Sequence, residues 1–175
     1  MRSSGSCAAN VPDGQAMWET SNSLWAAMQS GTNMVYHAAG WLEGGLIACP
    51  EKFIMDCEVL QMLQRYMEPE VIATGPDEIA LDAIREVGSS GHYFGIQHTQ
   101  DRYEGAFYQP FVSDWRNFEA FALDDGGIWT AERAHVLFKD IIGEFEAPAM
   151  DDAVREELAA FVERRKAEGG APTDF

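Results

Sequence analysis

Apolar positions recur at helical spacing through most of the chain and at strand spacing in only a few places. Asn10-Val11-Pro12-Asp13 supplies turn and capping chemistry ahead of a helix from about Gly14 to Gln29, which Gly31 terminates. Before it, Arg2 to Cys7 is short and rich in small residues, like the end of a strand. After it, Thr32 to Ala38 is β-branched and aromatic enough for a buried strand. A glycine-rich loop follows, Gly40-Trp41-Leu42-Glu43-Gly44-Gly45, and Pro50 opens a helix that runs to about Met67. Phe53, Ile54, Cys57, Leu60, Leu63 and Met67 line one side of that helix, and Met55, Val59 and Met62 lie elsewhere around it. Such a pattern predicts burial on two faces, with Cys57 in the core. Gly75-Pro76-Asp77 starts a further helix in which Ala80, Ala83, Ile84 and Val87 share a face, closed by Gly88. His92 to Gln97 reads as a third strand. Beyond Pro110 the pattern is helical only: Ala134, Leu137, Phe138, Ile141 and Phe145 form one stripe, and Val154, Leu158, Phe161 and Val162 another behind an Asp151 cap.

Strands separated by helices imply parallel pairing through helical crossovers, an α/β class. Three such strands cannot close a barrel, and a closed eight-stranded barrel usually needs roughly 200 residues or more, whereas the chain has 175. The division expected is βα units over residues 1–110, a helical extension over 111–168 and a flexible tail over 169–175. No repeat of fixed period, no phosphate loop and no G-x-G-x-x-G fingerprint is present.

Composition sharpens this picture in two ways. The 29 acidic and 12 basic residues give a formal charge of -17, which disfavours nucleic acid and anionic membranes and favours cationic ligands or basic protein surfaces, besides serving solubility. The charge is sparse before Pro50, so the first third reads as interior and the remainder as outer shell. Three cysteines, Cys7, Cys49 and Cys57, form neither a disulfide framework nor a C-x-x-C pair, which fits a reducing cytoplasm. The amino terminus does not resemble a signal peptide, and no apolar run reaches the ~18 residues needed to span a bilayer.

In parallel α/β folds ligands collect at the carboxyl ends of strands, which draws attention to His37, His98 and Thr99. If the two strands are neighbours, both imidazoles enter one mouth, where either could orient a carboxylate or contact a substrate nitrogen. The alternative is a pair of strand-end histidines held by hydrogen bonds with no part in chemistry. His92 lies at the other end of its strand and His135 on an outer helix. A metal would need a third ligand such as Glu43 or Asp56, and no H-x-x-x-H or H-E-x-x-H spacing supports one. Tyr36, Trp41, Tyr93, Phe94, Tyr103, Phe107 and Tyr108 flank the two strand ends, and such ring faces hold a quaternary ammonium well. They could equally be packing. Glu43 would add an anionic wall to a cation site or face solvent.

The segments GTNMVYHAAGWLEGGL (Gly31 to Leu46), EKFIMDCEVL (Glu51 to Leu60), GHYFGIQHT (Gly91 to Thr99) and EELAAFVERRKAEGGAP (Glu156 to Pro172) resemble the carboxyl-terminal third of the trimethylamine:corrinoid methyltransferase family. The resemblance covers nearly the whole chain. It implies the last parallel βα units of a partial TIM (β/α)8 barrel plus a carboxyl-terminal helical extension, and hence a fragment that is inactive alone. It also implies methyl transfer from a small methylated amine to the Co(I) corrinoid (cobalamin) of a partner protein, with no cofactor bound directly by this chain. Trimethylamine-specific members carry pyrrolysine, which is absent from this sequence, so the resemblance favours a quaternary amine such as glycine betaine. Such a substrate already has a neutral leaving group, so the protein's task is to orient the cation, exclude water and present one methyl to cobalt. Under this reading His37 and His98 are the catalytic candidates and Asn33, Tyr36, Trp41, Glu43, Phe94 and Tyr103 the substrate-binding ones. A betaine carboxylate would take its donor from His37, Asn33 or an arginine outside the chain. The competing reading is a non-catalytic module that binds a corrinoid protein, or its own kind as a homo-oligomer, through an uncovered sheet edge. A third, a metal-assisted barrel hydrolase, is disfavoured by the ligand spacing.

Overall fold

A computed structural model describes residues 2–3, 5–69, 79–124 and 126–169. Helix α1 spans Gly14–Gln29, where the sequence places it, because Asp13 in extended backbone accepts the N–H groups of Gln15 and Ala16 with its carboxylate. Strand β1 (Arg2–Ser3) pairs in parallel with β2 (Val35–Tyr36), so the expected parallel ladder exists but is only two residues long on each side. The strand expected over Thr32 to Ala38 is cut short by His37, whose φ of 52° turns the chain out of the ladder. An antiparallel hairpin that periodicity does not announce then folds the glycine-rich loop onto itself. Its strands are β3 (Trp41–Leu42) and β4 (Ile47–Ala48), joined by a 3-10 turn at Glu43–Gly45.

Helix α2 runs from Pro50 to Met67 as expected, with Pro50 in its first turn. Its interior is not the one expected. Ile54, Met55 and Leu63 are buried, but so are Lys52, Asp56 and Glu58, while Phe53 and Met62 are half exposed and Cys57 is only partly covered. Trp25 of α1 meets Tyr66 of α2 edge-on at 4.7 Å, which fixes the two helices side by side.

The Gly75-Pro76-Asp77 helix start lies outside the described residues. The helix it was to open is seen as α3 (Leu81–Val87), with Ala83 buried, Ile84 exposed and Gly88 at its end. His92 to Gln97 is not a strand: a 3-10 turn occupies Tyr93–Gly95 and a short helix α4 occupies Gln97–Gln100. The physical reason is local. Thr99 and Gln100 donate their N–H groups to the Ile96 carbonyl, and the Gln97 amide reaches Asp101 at 2.6 Å, so the backbone satisfies itself along the chain rather than across a ladder. Helices α5 (Phe118–Asp124), α6 (Thr130–Gly143) and α7 (Asp152–Ala167) complete the chain.

Two compact units are formed, Met1–Asp140 and Ile141–Phe175. In the first, one cluster gathers Cys7, Ala9, Ala16 and Leu42, and a second gathers Ile54, Met55, Val112 and Ala134 with Leu137 and Phe138 against them. The first half of the α6 stripe is therefore core, as its spacing predicts. In the second unit the Asp151 carboxylate caps α7 through Ala153 and Val154, and the stripe Val154, Leu158, Phe161 and Val162 is about half exposed. Among the described residues no helix is long and apolar enough to cross a membrane.

Candidate functional site

The segment from the end of β2 to the turn after β3 carries four of the residues singled out above, Tyr36, His37, Trp41 and Glu43. Its backbone is shaped by close approach. A Cβ on Gly5 would lie 1.9 Å from the His37 carbonyl oxygen, so only glycine lets the first strand segment pass beneath His37. Gly40 has a φ of 84° and a Cβ there would meet Phe53 of α2 at 3.1 Å, so this position too needs glycine. Between these two contacts the chain presents His37, exposed, with its ring edge-on to Trp41 at 5.3 Å and tilted against Tyr36 at 6.2 Å.

Glu43 closes the same loop. Its carboxylate accepts the Asn10 amide at 2.8 Å, its own N–H donates to the Ala9 carbonyl, and the next N–H, of Gly44, donates to the Cys7 carbonyl at 2.7 Å. Cys7 Sγ in turn donates to the Trp41 carbonyl at 3.2 Å. The segment from Gly5 to Asn10 thus underlies the loop along its whole length. Asn33 lies exposed in the bend before β2. His37, Tyr36 and Trp41 are brought into ring contact, with Glu43 beside them in sequence and anchored from below.

The remaining candidates sit on a different element. Phe94 and Tyr103 pair at 6.4 Å in a tilted arrangement around α4, and the Tyr103 hydroxyl donates to Glu104 at 2.9 Å, which raises the phenol above its ordinary value. His98, exposed on α4, lines a hollow with Leu81, Asp82, Ala83 and Glu86 of α3. The structure therefore groups Phe94 with Tyr103 and sets His98 against α3. The strand that was to carry His98 into a mouth shared with His37 is a helical turn instead.

Beneath the His37 loop lies a charged pair that sequence reasoning did not predict: Asp56 stood only as a possible metal ligand and Lys52 not at all. Lys52 Nζ is completely buried and donates to Asp56 Oδ1 at 2.6 Å, to Asp56 Oδ2 at 2.5 Å and to Thr20 Oγ1 at 2.8 Å. Asp56 Oδ2 also accepts the Gly40 N–H at 2.9 Å, and Thr20 Oγ1 passes a hydrogen bond at 3.4 Å to the Gly5 carbonyl. Burial raises the Asp56 carboxyl above the usual aspartate range, against the opposing pull of Lys52 and the Gly40 N–H. A signal was available: Lys52, Met55, Asp56, Val59 and Leu63 fall at i, i+3, i+4, i+7 and i+11, so an oppositely charged i, i+4 pair interrupts an otherwise apolar stripe.

Two residues beyond Asp56, the Glu58 carboxylate accepts the N–H groups of Phe111, Val112 and Ser113 at 3.0, 2.6 and 3.0 Å, and the Ser113 hydroxyl. A cavity of about 420 Å³ opens beside it, lined by Met17, Met55, Met62, Val112 and Trp129 among others. Among the described residues no cluster of three or more histidine, cysteine, aspartate or glutamate side chains could hold a metal ion.

A family model described as trimethylamine methyltransferase (MTTB) matches residues 1–170. The chain is 35% identical over 158 residues to a glycine betaine methyltransferase from Desulfitobacterium hafniense (strain Y51), covering 90% of this chain and 32% of that protein. It is 25% identical over 156 residues to a trimethylamine methyltransferase of Methanosarcina mazei, covering 89% and 30% of the two chains. A trimethylamine methyltransferase of Methanosarcina barkeri (strain Fusaro) matches at 24% identity over 156 residues, again 89% and 30%. The chain thus spans about a third of the length of the curated relatives it matches. A family match that extends over nearly every residue, with the aromatic and histidine loop inside it, shows that this chain belongs to the trimethylamine methyltransferase (MTTB) family.

Proposed function

We propose that this chain contributes the carboxyl-terminal part of a TIM-barrel methyltransferase that moves a methyl group from a quaternary amine of the glycine betaine type to the Co(I) corrinoid of a partner protein. The observation that carries the reading is the 35% identity to a glycine betaine methyltransferase across 90% of this chain. The site supports it chemically. A trimethylammonium group is a diffuse cation that favours ring faces and a nearby carboxylate over a point donor, and the segment from β2 to the turn after β3 offers the Tyr36 and Trp41 rings against His37, with Glu43 next along the chain after Leu42.

In this reading Co(I) attacks one methyl carbon in line with the C–N bond. The cobalt electron pair forms the Co–C bond, the C–N pair stays on nitrogen, and dimethylglycine leaves as a neutral amine centre without any proton being supplied. Trp41 and Tyr36 hold the cation, Glu43 adds negative potential, and His37 or Asn33 donates to the substrate carboxylate. Phe94, Tyr103 and His98 belong to the separate segment around α4 and take no part in this reading of the loop. Orientation and exclusion of water supply the rate, which accounts for a site with no acid–base triad.

A second reading, an interaction module without turnover, is favoured by one observation: Leu46, Trp115, Phe118, Leu123 and Trp129 are each 64% exposed or more, an unusual amount of bulky apolar surface for a chain that works alone. The test is methyl-cobalt formation, followed by absorbance, from the chain, a reductively activated corrinoid protein and a panel of methylated amines, with the Desulfitobacterium hafniense relative as control. No turnover from this chain by itself, beside a working control, is the expected result for a fragment that spans about a third of its relative. Methyl-cobalt from glycine betaine would show that the fragment holds a working site, and methyl-cobalt from trimethylamine alone would overturn the substrate class. Binding of the corrinoid protein without turnover or any response to an amine would favour the interaction module.

A further inference from the structure

We infer that the buried Lys52–Asp56 pair is a positioning device for His37, acting through the two backbone groups that flank it. Resting on the reading of His37 as a substrate contact, the inference names the residues that set its place. The pair reaches the loop by two routes. On one side Asp56 Oδ2 accepts the Gly40 N–H at 2.9 Å, three residues after His37. On the other, Lys52 Nζ donates to Thr20 Oγ1, which donates to the Gly5 carbonyl, and Gly5 is the residue pressed beneath the His37 carbonyl. His37 is thereby gripped from in front and below by one ion pair with no solvent exposure.

Two features separate this from ordinary core packing. His37 holds a φ of 52°, a left-handed conformation that a non-glycine residue keeps only where its surroundings over-determine it. A buried ion pair is also an inefficient way to stabilise a core, since apolar residues of similar volume do as well or better once both charges are replaced. What an apolar pair could not do is accept the Gly40 N–H. The geometry therefore gives the charge pair a directional task at the His37–Gly40 segment, and the ring contact between His37 and Trp41 at 5.3 Å depends on it.

The test compares two double variants of the whole 175-residue chain, labelled at histidine and on its backbone for NMR. Lys52→Met with Asp56→Asn removes both charges but keeps an acceptor for the Gly40 N–H. Lys52→Met with Asp56→Leu removes the acceptor as well. The first loses the Lys52–Thr20 bond but keeps the Thr20–Gly5 bond and the acceptor for the Gly40 N–H, and is expected to move the His37 ring signals far less than the second. The second is expected to move the His37 ring and Gly40 amide signals and to weaken glycine betaine binding about tenfold or more, while the amides of Phe111 to Ser113, held by Glu58, stay where they are. Unmoved His37 signals in the second variant would overturn the inference, as would equal displacement in both. Should the second variant not fold, Thr20→Val cuts the other route, and an unchanged His37 ring there overturns it equally. Titration of glycine betaine into the unaltered chain separates the two layers: no response at His37 refutes its substrate role, while the variant comparison still decides the positioning.

Discussion

Asp56 and Glu58 are two carboxylates on one helix, two residues apart, both buried, and they titrate in opposite directions. Neighbours at this spacing point to different sides of a helix. Asp56 faces α1 and the Gly40 loop, where burial outweighs one ammonium and one N–H and raises its carboxyl. Glu58 faces the 111–113 segment. Burial there would raise it too, but the Ser113 hydroxyl and three backbone N–H groups outweigh the loss of water and hold it below the usual glutamate range. Asp56 is the more deeply buried of the two and Glu58 receives more donors, so depth and donor number together decide whether a carboxylate remains a comfortable anion.

The comparison breaks most severely at Lys52. Lys52→Met leaves Asp56 without its counter-charge in a dry site and should cost about 3–5 kcal/mol in urea unfolding, with most of the loss recovered when Asp56→Leu is added. Gly5→Ala attacks the same network at its far end. The new methyl would overlap the His37 carbonyl, a strain expected to cost about 3 kcal/mol and to shift the His37 ring signals, against little change at Ser113.

Glu58→Gln tests the other carboxylate. A neutral amide oxygen accepts less strongly, so a loss of about 2 kcal/mol is expected, with faster hydrogen exchange confined to the amides of Phe111, Val112 and Ser113. The pH dependence follows from the two directions. Glu58 titrates lower in the folded state than in the unfolded one, so its contribution is full above the unfolded value, about 4.3, and is lost as pH falls through the folded value. Asp56 titrates higher in the folded state, so its contribution is full below the unfolded value, about 3.9, and is lost as pH rises through the folded value. Urea midpoints from about pH 3 to pH 6 should therefore fall less on acidification in Glu58→Gln than in the unaltered chain. The smallest effect belongs to a carboxylate at the surface: Asp13→Ala removes the α1 cap and should cost about 1 kcal/mol, without the local exchange signature of Glu58→Gln.

Legibility followed the range of the interactions. Helix α1 with its Asp13 cap, α2 with Pro50 in its first turn, and α7 with its Asp151 cap were readable because their signals lie within a few residues of the ends they set. The stretch from His92 to Gln97 has strand composition, yet forms turns, because a strand exists only where another backbone answers it. The parallel ladder was legible in kind but not in length, since its register with Arg2 and Ser3 is set by a partner some thirty residues away.

The candidate site divides in the same way. Tyr36, His37, Trp41 and Glu43 stood out as chemistry-bearing types crowded into a glycine-rich loop, and the fold does bring the rings of the first three together. Lys52 and Glu58 were visible only as ordinary helix charges, and Asp56 only as one possible ligand of a disfavoured metal site. Whether such a residue faces solvent or is sealed against a neighbouring helix depends on which face the other helices cover, a property of packing and not of spacing.

By itself, the sequence determined the longer helices, the Asp13 and Asp151 caps, the acidic balance, the family and the segment into which aromatic, histidine and acidic side chains crowd, because each is written in short-range pattern or in residue type. Only the tertiary structure decided that Gly5 must slide beneath His37, that an ion pair would be buried under the loop, and that two adjacent carboxylates would titrate in opposite directions. Those outcomes depend on hydrogen-bond partners brought from residues 5 to 113, and the free energy of a buried charge is set by the groups that surround it in space.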